Sequence, residues 1–390
     1  MPSAVIVSAA RTAVATSRKG TLANTSAEVL ALAVLKEVVA RSGIDPDRVG
    51  DVILAESLYG GGAVARHAAV EAGMVKAGGM AINRHCAGSL TSVGLASAQV
   101  LSGMEDIIVA GGVMSISTGP QMRRRIPGSD EVQDFWMPPT HPDSPEAPNL
   151  DMSITVGWNT AKAAGLTREE QDAWAVRSHQ RAIAAIDAGH FVDQIVPVQA
   201  LMADGTTVEF KVDEHPRRDS NIEKLATLKV LHPEIDGFSI TAGNSSGVND
   251  AASALMVTTD AIAGAEGLAT LAKVRGWAAI GVNPANTGIG AIEAINKLLA
   301  RTGVVQSDIA LWEINEAFAS VPLAASRILG IDDETINISG SGCSIGHPVA
   351  ASGGRMLITL IHDLKRRGGG LGVAAMCAGG GQAGAVLIEV

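Results

Sequence analysis

ARSGIDPDRVGDVILAE, from Ala40 to Glu56, and ARTGVVQSDIALWEINE, from Ala300 to Glu316, are the two stretches that decide the fold. Arg41 pairs with Arg301, Gly43 with Gly303, Val49 with Ile309 and Glu56 with Glu316, each pair 260 residues apart. Each stretch reads as a helix end, a glycine stop, a short loop and an apolar strand. Outward from them the likeness continues in the same order. IIVAGG (Ile107–Gly112) corresponds to AAMCAGG (Ala374–Gly380), and ASALMV (Ala252–Val257) to AGAVLIEV (Ala383–Val390). Several pairs in one order point to a duplicated α/β unit.

Local signals fill in each copy. Ala4–Ser8 is a short apolar strand, and Val52–Leu54 is another. Thr25, Ser26, Ala27 and Glu28 read as a capping box opening a helix whose apolar face carries Leu30, Val34, Leu35 and Val38. This alternation predicts a mostly parallel sheet covered by helices. Residues 115 to 149 are rich in proline and charge and predict a long excursion, a lid or an oligomer contact. Thr167 to Glu170 form a second capping box, starting a helix through Trp174 and Ile186. The expected division is residues 1–119 with 249–268 as one half, 120–248 as an inserted loop domain, and 269–390 as the second half.

A chain of 390 residues with 47% hydrophobic content exceeds one ordinary core. Its net charge of −10 argues against a nucleic-acid partner, and Arg123, Arg124 and Arg125 read as a solvated loop patch. Three cysteines, Cys86, Cys343 and Cys377, make no disulfide framework and suit a reducing, cytoplasmic setting. The apolar start lacks a basic leader, no stretch reads as a membrane span, and the chain does not end in Ser-Lys-Leu.

Four positions can carry chemistry. Cys86, in INRHCAGSLTSVGL, stands where a strand turns into a helix, and a helix N-terminus can stabilise a thiolate. The competing reading is a buried small apolar residue; His85 beside it is read as structural. Cys377 is delivered by an apolar strand to three glycines, which permit close ligand approach and offer N–H groups to an oxyanion. His347 lies in the glycine-rich turn GSGCSIGHP, where an imidazole can serve as a base. Asn315 ends the second-copy strand, at a carboxyl end that suits a site in an α/β sheet; a helix cap is the alternative. Cys343, His347 and Cys377 lack a fourth ligand at usual spacing, so no metal site is expected.

Together, NRHCAGS, NEAF, GHP and CAGGGQAG, with GNSSGVNDAA (Gly243–Ala252) and REEQDAWAVRSHQRA (Arg168–Ala182), resemble the thiolase family over essentially the whole chain. The resemblance implies a thiolase fold: two βαβαβαββ halves in a layered α-β-α-β-α core, plus a loop domain. It implies an acyltransferase that makes or cleaves 3-ketoacyl-CoA, with acyl-CoA and coenzyme A as substrates, no bound cofactor, and a homodimer or homotetramer. By the same resemblance Cys86 is the nucleophile, and His347 activates it and polarises the thioester. Cys377 exchanges the α-carbon proton, and Asn315 holds a water that completes one oxyanion hole. The N–H groups of Cys86 and Gly379 form the other oxyanion hole. Ser246, Arg217 and Phe318 would meet the CoA moiety or substrate.

The chain departs from the family pattern at Ala87-Gly88-Ser89, at Asn337 followed by Gly340-Ser341, at Cys343, and at Asp151-Met152-Ser153. These changes bear on acyl length more than on reaction type. Two rivals share the fold. A decarboxylating condensing enzyme would not need the second cysteine. A non-catalytic acyl-CoA-binding or scaffold subunit would be expected to lose a catalytic residue.

Overall fold

The computed structural model describes residues 2–57 and 64–390. Its central strands are β1 (Ala4–Arg11), β2 (Asp51–Ala55), β3 (Met80–Ile82), β4 (Ile108–Met114), β5 (Asn249–Thr259), β6 (Ala272–Gly281), β7 (Ile309–Ile314), β8 (Leu371–Ala378) and β9 (Gln382–Glu389). The principal helices are α1 (Ala27–Ser42), α2 (Val64–Glu71), α3 (Gly88–Ser102), α4 (Arg168–Asp187), α5 (Gly290–Thr302), α6 (Ser320–Leu329) and α7 (Ser352–Arg366).

Among the described residues the strands form one hydrogen-bonded path, β7-β8-β9-β6-β1-β5-β4-β2-β3. Read outward from its centre, the path is the same motif twice. In β1-β5-β4-β2 and in β6-β9-β8-β7 the first two pairings are antiparallel and the third is parallel. The copies meet where β1 pairs antiparallel with β6, Ala4 opposite Val274 and Ile6 opposite Ala272.

The matched stretches occupy equivalent places. Helix α1 stops at Gly43 with φ 71°, and α5 stops at Gly303 with φ 70°, left-handed positions that glycine takes without strain. A 3₁₀ turn follows each, Pro46–Arg48 and Gln306–Asp308, and then the strand. Arg41 donates to the carbonyl of Ala9 on β1 (2.9 Å), and Arg301 donates to the carbonyl of Trp277 on β6 (2.5 Å). The capping signal at Thr25 is shifted by one residue. Ser26 is the N-cap and accepts from Val29 N–H, so position N3 is a valine and no box closes; Thr25 Oγ1 accepts instead from Leu201 N–H (3.3 Å). The box at Thr167 and Glu170 forms as read.

Strand alternation sorts side chains into layers. Val52 and Leu54 join α1 and α2 in one core, whereas Ile53 points into a central core with Leu90 and Val93 of α3 and Met356 and Leu360 of α7. On the second copy Ala374 and Met376 face that central core, while Val373 and Ala375 pack with α5 and α6. The result is helices, sheet, helices, sheet, helices. Helices α3 and α7 are therefore sandwiched, and their N-terminal turns meet: Gly354 N–H donates to Ser89 Oγ (2.9 Å). Gly112, in β4, permits a close approach, since a Cβ there would stand 2.0 Å from the carbonyl oxygen of Ala350.

Between β4 and β5 the chain leaves the sheet. It forms a short antiparallel pair, Arg124–Arg125 with Val132–Gln133, then α4, then a second pair, Val198–Leu201 with Thr207–Phe210. Among the described residues no helix is long and apolar enough to cross a membrane.

Candidate active site

Cys86 is presented by a strained turn. After β3, Asn83 Oδ1 accepts from His85 N–H (2.9 Å), and His85 takes φ 44°, a left-handed conformation that costs a bulky residue about 1–2 kcal/mol. Ser57 Oγ holds the turn by donating to the His85 carbonyl (2.7 Å). A 3₁₀ turn, His85–Ala87, then runs into α3.

The Cys86 residue is half-buried by area, and enough protein surrounds the sulfur for burial to push the thiol up to about 11. Two N–H groups oppose this, those of Gly379 and of Cys86 itself. The expectation that the helix start lowers this pKa is therefore corrected. Desolvation outweighs two backbone donors, and the neutral thiol is the resting form.

His347 is held from both halves. Its N–H donates to Asn249 Oδ1 (2.9 Å), and Asn249 Nδ2 donates to the carbonyl of Ala15 (3.0 Å). Gly346, at φ 108°, is required there: a Cβ would lie 2.6 Å from the Asn249 side chain. The ring Nδ1 is 2.6 Å from Ser352 Oγ. Burial first, and Arg355 second, push the imidazole down to about 3, so it is neutral at neutral pH and free to accept a proton.

Asn315 follows β7, its N–H donating to the carbonyl of Ala375 on β8 (3.0 Å). Its Nδ2 is 3.4 Å and 3.5 Å from the two ring nitrogens of His347. Asn315 Oδ1 is buried beside Gly342 with no hydrogen-bond partner among the described residues. Asn337, at φ 52°, mimics a neighbouring strand: its Oδ1 accepts from Ile314 N–H and its Nδ2 donates to the Ile314 carbonyl, both at 2.8 Å.

Glu316 anchors the region. One carboxyl oxygen accepts from Trp174 Nε1 (2.9 Å) and Asn337 Nδ2 (2.8 Å), the other from Ser178 Oγ (2.6 Å) and Cys343 N–H (3.1 Å). Because Trp174 and Ser178 lie on α4, Glu316 ties that helix to the strand end that carries Asn315. Glu316→Gln places an NH₂ against two donors, so we expect a loss of about 2–3 kcal/mol, read as a lower midpoint in urea unfolding; an unchanged midpoint would remove Glu316 from this role.

Cys377 lies near the end of β8, opposite Ala383, and is buried. Burial raises its thiol, and so does the neighbouring Cys86 sulfur. The following glycine loop is shaped by Gly381 N–H donating to Thr287 Oγ1 (3.1 Å) and Gln382 Nε2 donating to the Gly379 carbonyl (3.1 Å). Cys343 is a buried structural group, its thiol 3.6 Å from the Glu316 carbonyl. Among the described residues no cluster of three or more His, Cys, Asp or Glu is placed to hold a metal ion.

Of the remaining candidates, Ser246 donates its N–H to the Ala317 carbonyl (2.9 Å), and buried Phe318 packs on Gly157. Arg217 stands at the surface, its N–H on His179 Nδ1 (3.1 Å). Ser352, Asn249 and Thr287 were not singled out in the sequence. Asn249 lies inside GNSSGVNDAA, and Ser352 stands four residues after Pro348; neither position announces a contact with His347.

The proline-rich excursion reaches this region. Thr140 fills the space where a Gly380 Cβ would be (2.7 Å), and His85 flanks Gly379 (3.6 Å). Thr140 and His85 also line a cavity of about 1050 Å³, with Ile82, Met122, Phe135 and Trp136. The arginine run beside it is neutralised locally: Arg123 pairs with Asp134 (2.5 Å), Arg125 with Asp130 (3.7 Å), and Arg124 stacks on Trp136.

The chain matches known proteins along its length. Residues 4–261 match the thiolase N-terminal domain and residues 268–390 the thiolase C-terminal domain. It is 39% identical to an acetyl-CoA acetyltransferase of Pseudomonas aeruginosa, over 98% of each chain. It is 36% identical to a 3-ketoacyl-CoA thiolase of Bacillus subtilis, over 100% of each. The crystal structure of the Bacillus anthracis acetyl-CoA acetyltransferase superposes with a TM-score of 0.91 at 37% identity, covering 100% of this chain and 99% of that one.

Proposed function

This chain belongs to the thiolase family, and we propose that it cleaves or forms 3-ketoacyl-CoA thioesters through an acyl-Cys86 intermediate. The observation that supports this reading most is the Cys86 sulfur beside the N–H groups of Gly379 and of Cys86 itself, with the Cys377 thiol close enough to feel its charge. In thiolysis the neutral His347 takes the Cys86 proton, and the sulfur attacks the 3-keto carbon. The bond between C2 and C3 breaks, and its electron pair goes to the enolate of acetyl-CoA. Cys377 protonates C2 of that enolate. The Cys377 thiolate takes back a proton from the His347 imidazolium, so both are neutral again. The thiol of coenzyme A then loses its proton to His347 and attacks the acyl-Cys86 thioester, and acyl-CoA leaves as the Cys86 thiolate takes that proton from His347. Condensation is the reverse. The N–H pair stabilises the thioester oxyanion, while Asn315 and His347 serve the other oxygen. Residues 120–248 act as the loop domain that receives coenzyme A through Ser246, with Phe318 of the second half beside it. All four residues that the reaction uses are retained in the sequence, which supports catalysis over a non-catalytic scaffold.

We propose further that the acyl group runs from Cys86 past its neighbour His85 into the cavity that His85 and Thr140 line, which would admit an acyl group larger than acetyl. The test is to incubate the protein with equal acetoacetyl-CoA and 3-ketodecanoyl-CoA, quench, digest and map adducts by mass spectrometry. We expect acylation on the Cys86 peptide, with the longer acyl favoured at least roughly tenfold, the discrimination one or two packed methylenes provide. Acetyl in equal or greater amount would reject the large-acyl reading. No adduct from either would reject the acyl-enzyme.

A further inference from the structure

We propose that Ser352 is a positioning residue that sets the tautomer of His347, placing the ring proton on Nδ1 and leaving the Nε2 lone pair free for the Cys86 proton. This rests on the reading of His347 as the base. The contact is short and dry: Nδ1 to Oγ is 2.6 Å, with Ser352 fully buried and His347 6% exposed.

A serine hydroxyl has one proton and can accept at its oxygen. Ser352 Oγ donates to the carbonyl of Pro348 (3.0 Å), which also takes the N–H groups of Ala351 (2.8 Å) and Ser352 (2.9 Å). With its proton directed there, Oγ is an acceptor toward the ring, and Nδ1 must be the donor. The turn from His347 to Ser352 is thereby closed on itself at the start of α7. Asn249 fixes the same turn by accepting the backbone N–H of His347.

The groups facing the ring make the tautomer matter. Asn315 Nδ2 lies beyond 3.3 Å from both ring nitrogens and prefers neither, at 3.4 and 3.5 Å. Arg355, on α7, is paired with Glu313 at the end of β7 (3.1 Å), and it disfavours the imidazolium without supplying an acceptor. Cys86, ahead of α3, and Cys377, on β8, are the two thiols that the proposed reaction brings to the ring. With the imidazole neutral, half of its possible forms carry the proton on Nε2 and cannot accept from Cys86. Ser352 Oγ is the contact that separates the two.

The test uses the full chain with ¹⁵N-labelled histidine, and variants Ser352→Ala and Ser352→Thr. In the parent, ¹⁵N shifts assigned by loss of the signal in His347→Asn should show protonated Nδ1 and unprotonated Nε2. Ser352→Ala should mix the tautomers and lower kcat for thiolysis of a 3-ketoacyl-CoA by roughly 10–100-fold, the usual effect of removing an orienting partner, with KM changed much less. Ser352→Thr, which keeps the hydroxyl, should recover most of kcat and the parent tautomer. A parent ring protonated on Nε2, or a folded Ser352→Ala with parent kcat, overturns the proposal. If Ser352→Ala does not fold, the parent spectrum and Ser352→Thr decide alone. A parent that turns over no 3-ketoacyl-CoA removes the thiolase reading itself, and the inference with it; normal parent turnover with an indifferent Ser352 removes only the inference.

Discussion

Cys86→Ala should lower thiolysis of 3-ketoacyl-CoA by about 10⁴-fold or more, the scale on which loss of a catalytic nucleophile falls. The size of the effect follows from what alanine leaves behind. The N–H groups of Gly379 and Cys86, the neutral His347 and Asn315 all remain, but no atom can carry the acyl group between the two half-reactions. The side chain is half-buried and stands in the 3₁₀ turn ahead of α3, so removing one sulfur opens no large internal cavity. Thermal unfolding should move little, and coenzyme A should still bind. The measurement is thiolysis followed by loss of the 3-ketoacyl-CoA enolate absorbance, with unfolding recorded on the same preparation. A folded variant with more than a hundredth of the parent rate would mean that Cys86 is not the acyl carrier.

Cys377→Ala should separate the two halves of the reaction. Acyl transfer from acyl-CoA to Cys86 needs the nucleophile, the base and the N–H pair, none of which this change removes. Breaking or making the bond between C2 and C3 needs a proton delivered to, or taken from, a carbon, and a positioned acid–base group contributes about 10²–10⁴-fold. We therefore expect exchange of labelled coenzyme A into acetyl-CoA to persist within about tenfold while thiolysis falls by that larger factor. In the folded protein burial and the Cys86 sulfur both raise the Cys377 thiol, so it rests protonated and is ready as the acid toward an enolate. If exchange and thiolysis fall together, Cys377 acts on acylation and the division of labour proposed here fails. If neither falls, another group supplies the proton.

The glycine stops and following strands of both copies could be read from the chain because local chemistry sets them. A left-handed residue after a helix favours glycine wherever the helix packs, so Gly43 and Gly303 marked equivalent points before any contact was known. The thiolase segments likewise named Cys86, Asn315, His347 and Cys377 in order. What failed was one residue of register, one sign and the expectation of a mostly parallel sheet: the path holds five antiparallel and three parallel pairings, because the inner strands of each copy, and the junction of the copies, run antiparallel. Thr25 and Ser26 are both good caps, and only the contact between Thr25 and Leu201 leaves Ser26 as the cap. The helix start at Cys86 promised a lowered pKa, but the number of atoms packed around a sulfur is not written in its neighbours along the chain.

By itself the sequence determined a duplicated α/β architecture and the order of the reactive groups, because periodicity, glycine stops and repeated segments are properties of the covalent chain. Only the tertiary structure decided that the Cys86 sulfur lies against Cys377 and the N–H of Gly379, and that both thiols and the imidazole are neutral. It alone seated Glu316 between α4 and the second sheet, and placed Ser352 on the Nδ1 side of His347. The physical reason is common to these cases. Desolvation and hydrogen-bond satisfaction are set by whatever surrounds a group in space, and at this site those surroundings come from segments hundreds of residues apart.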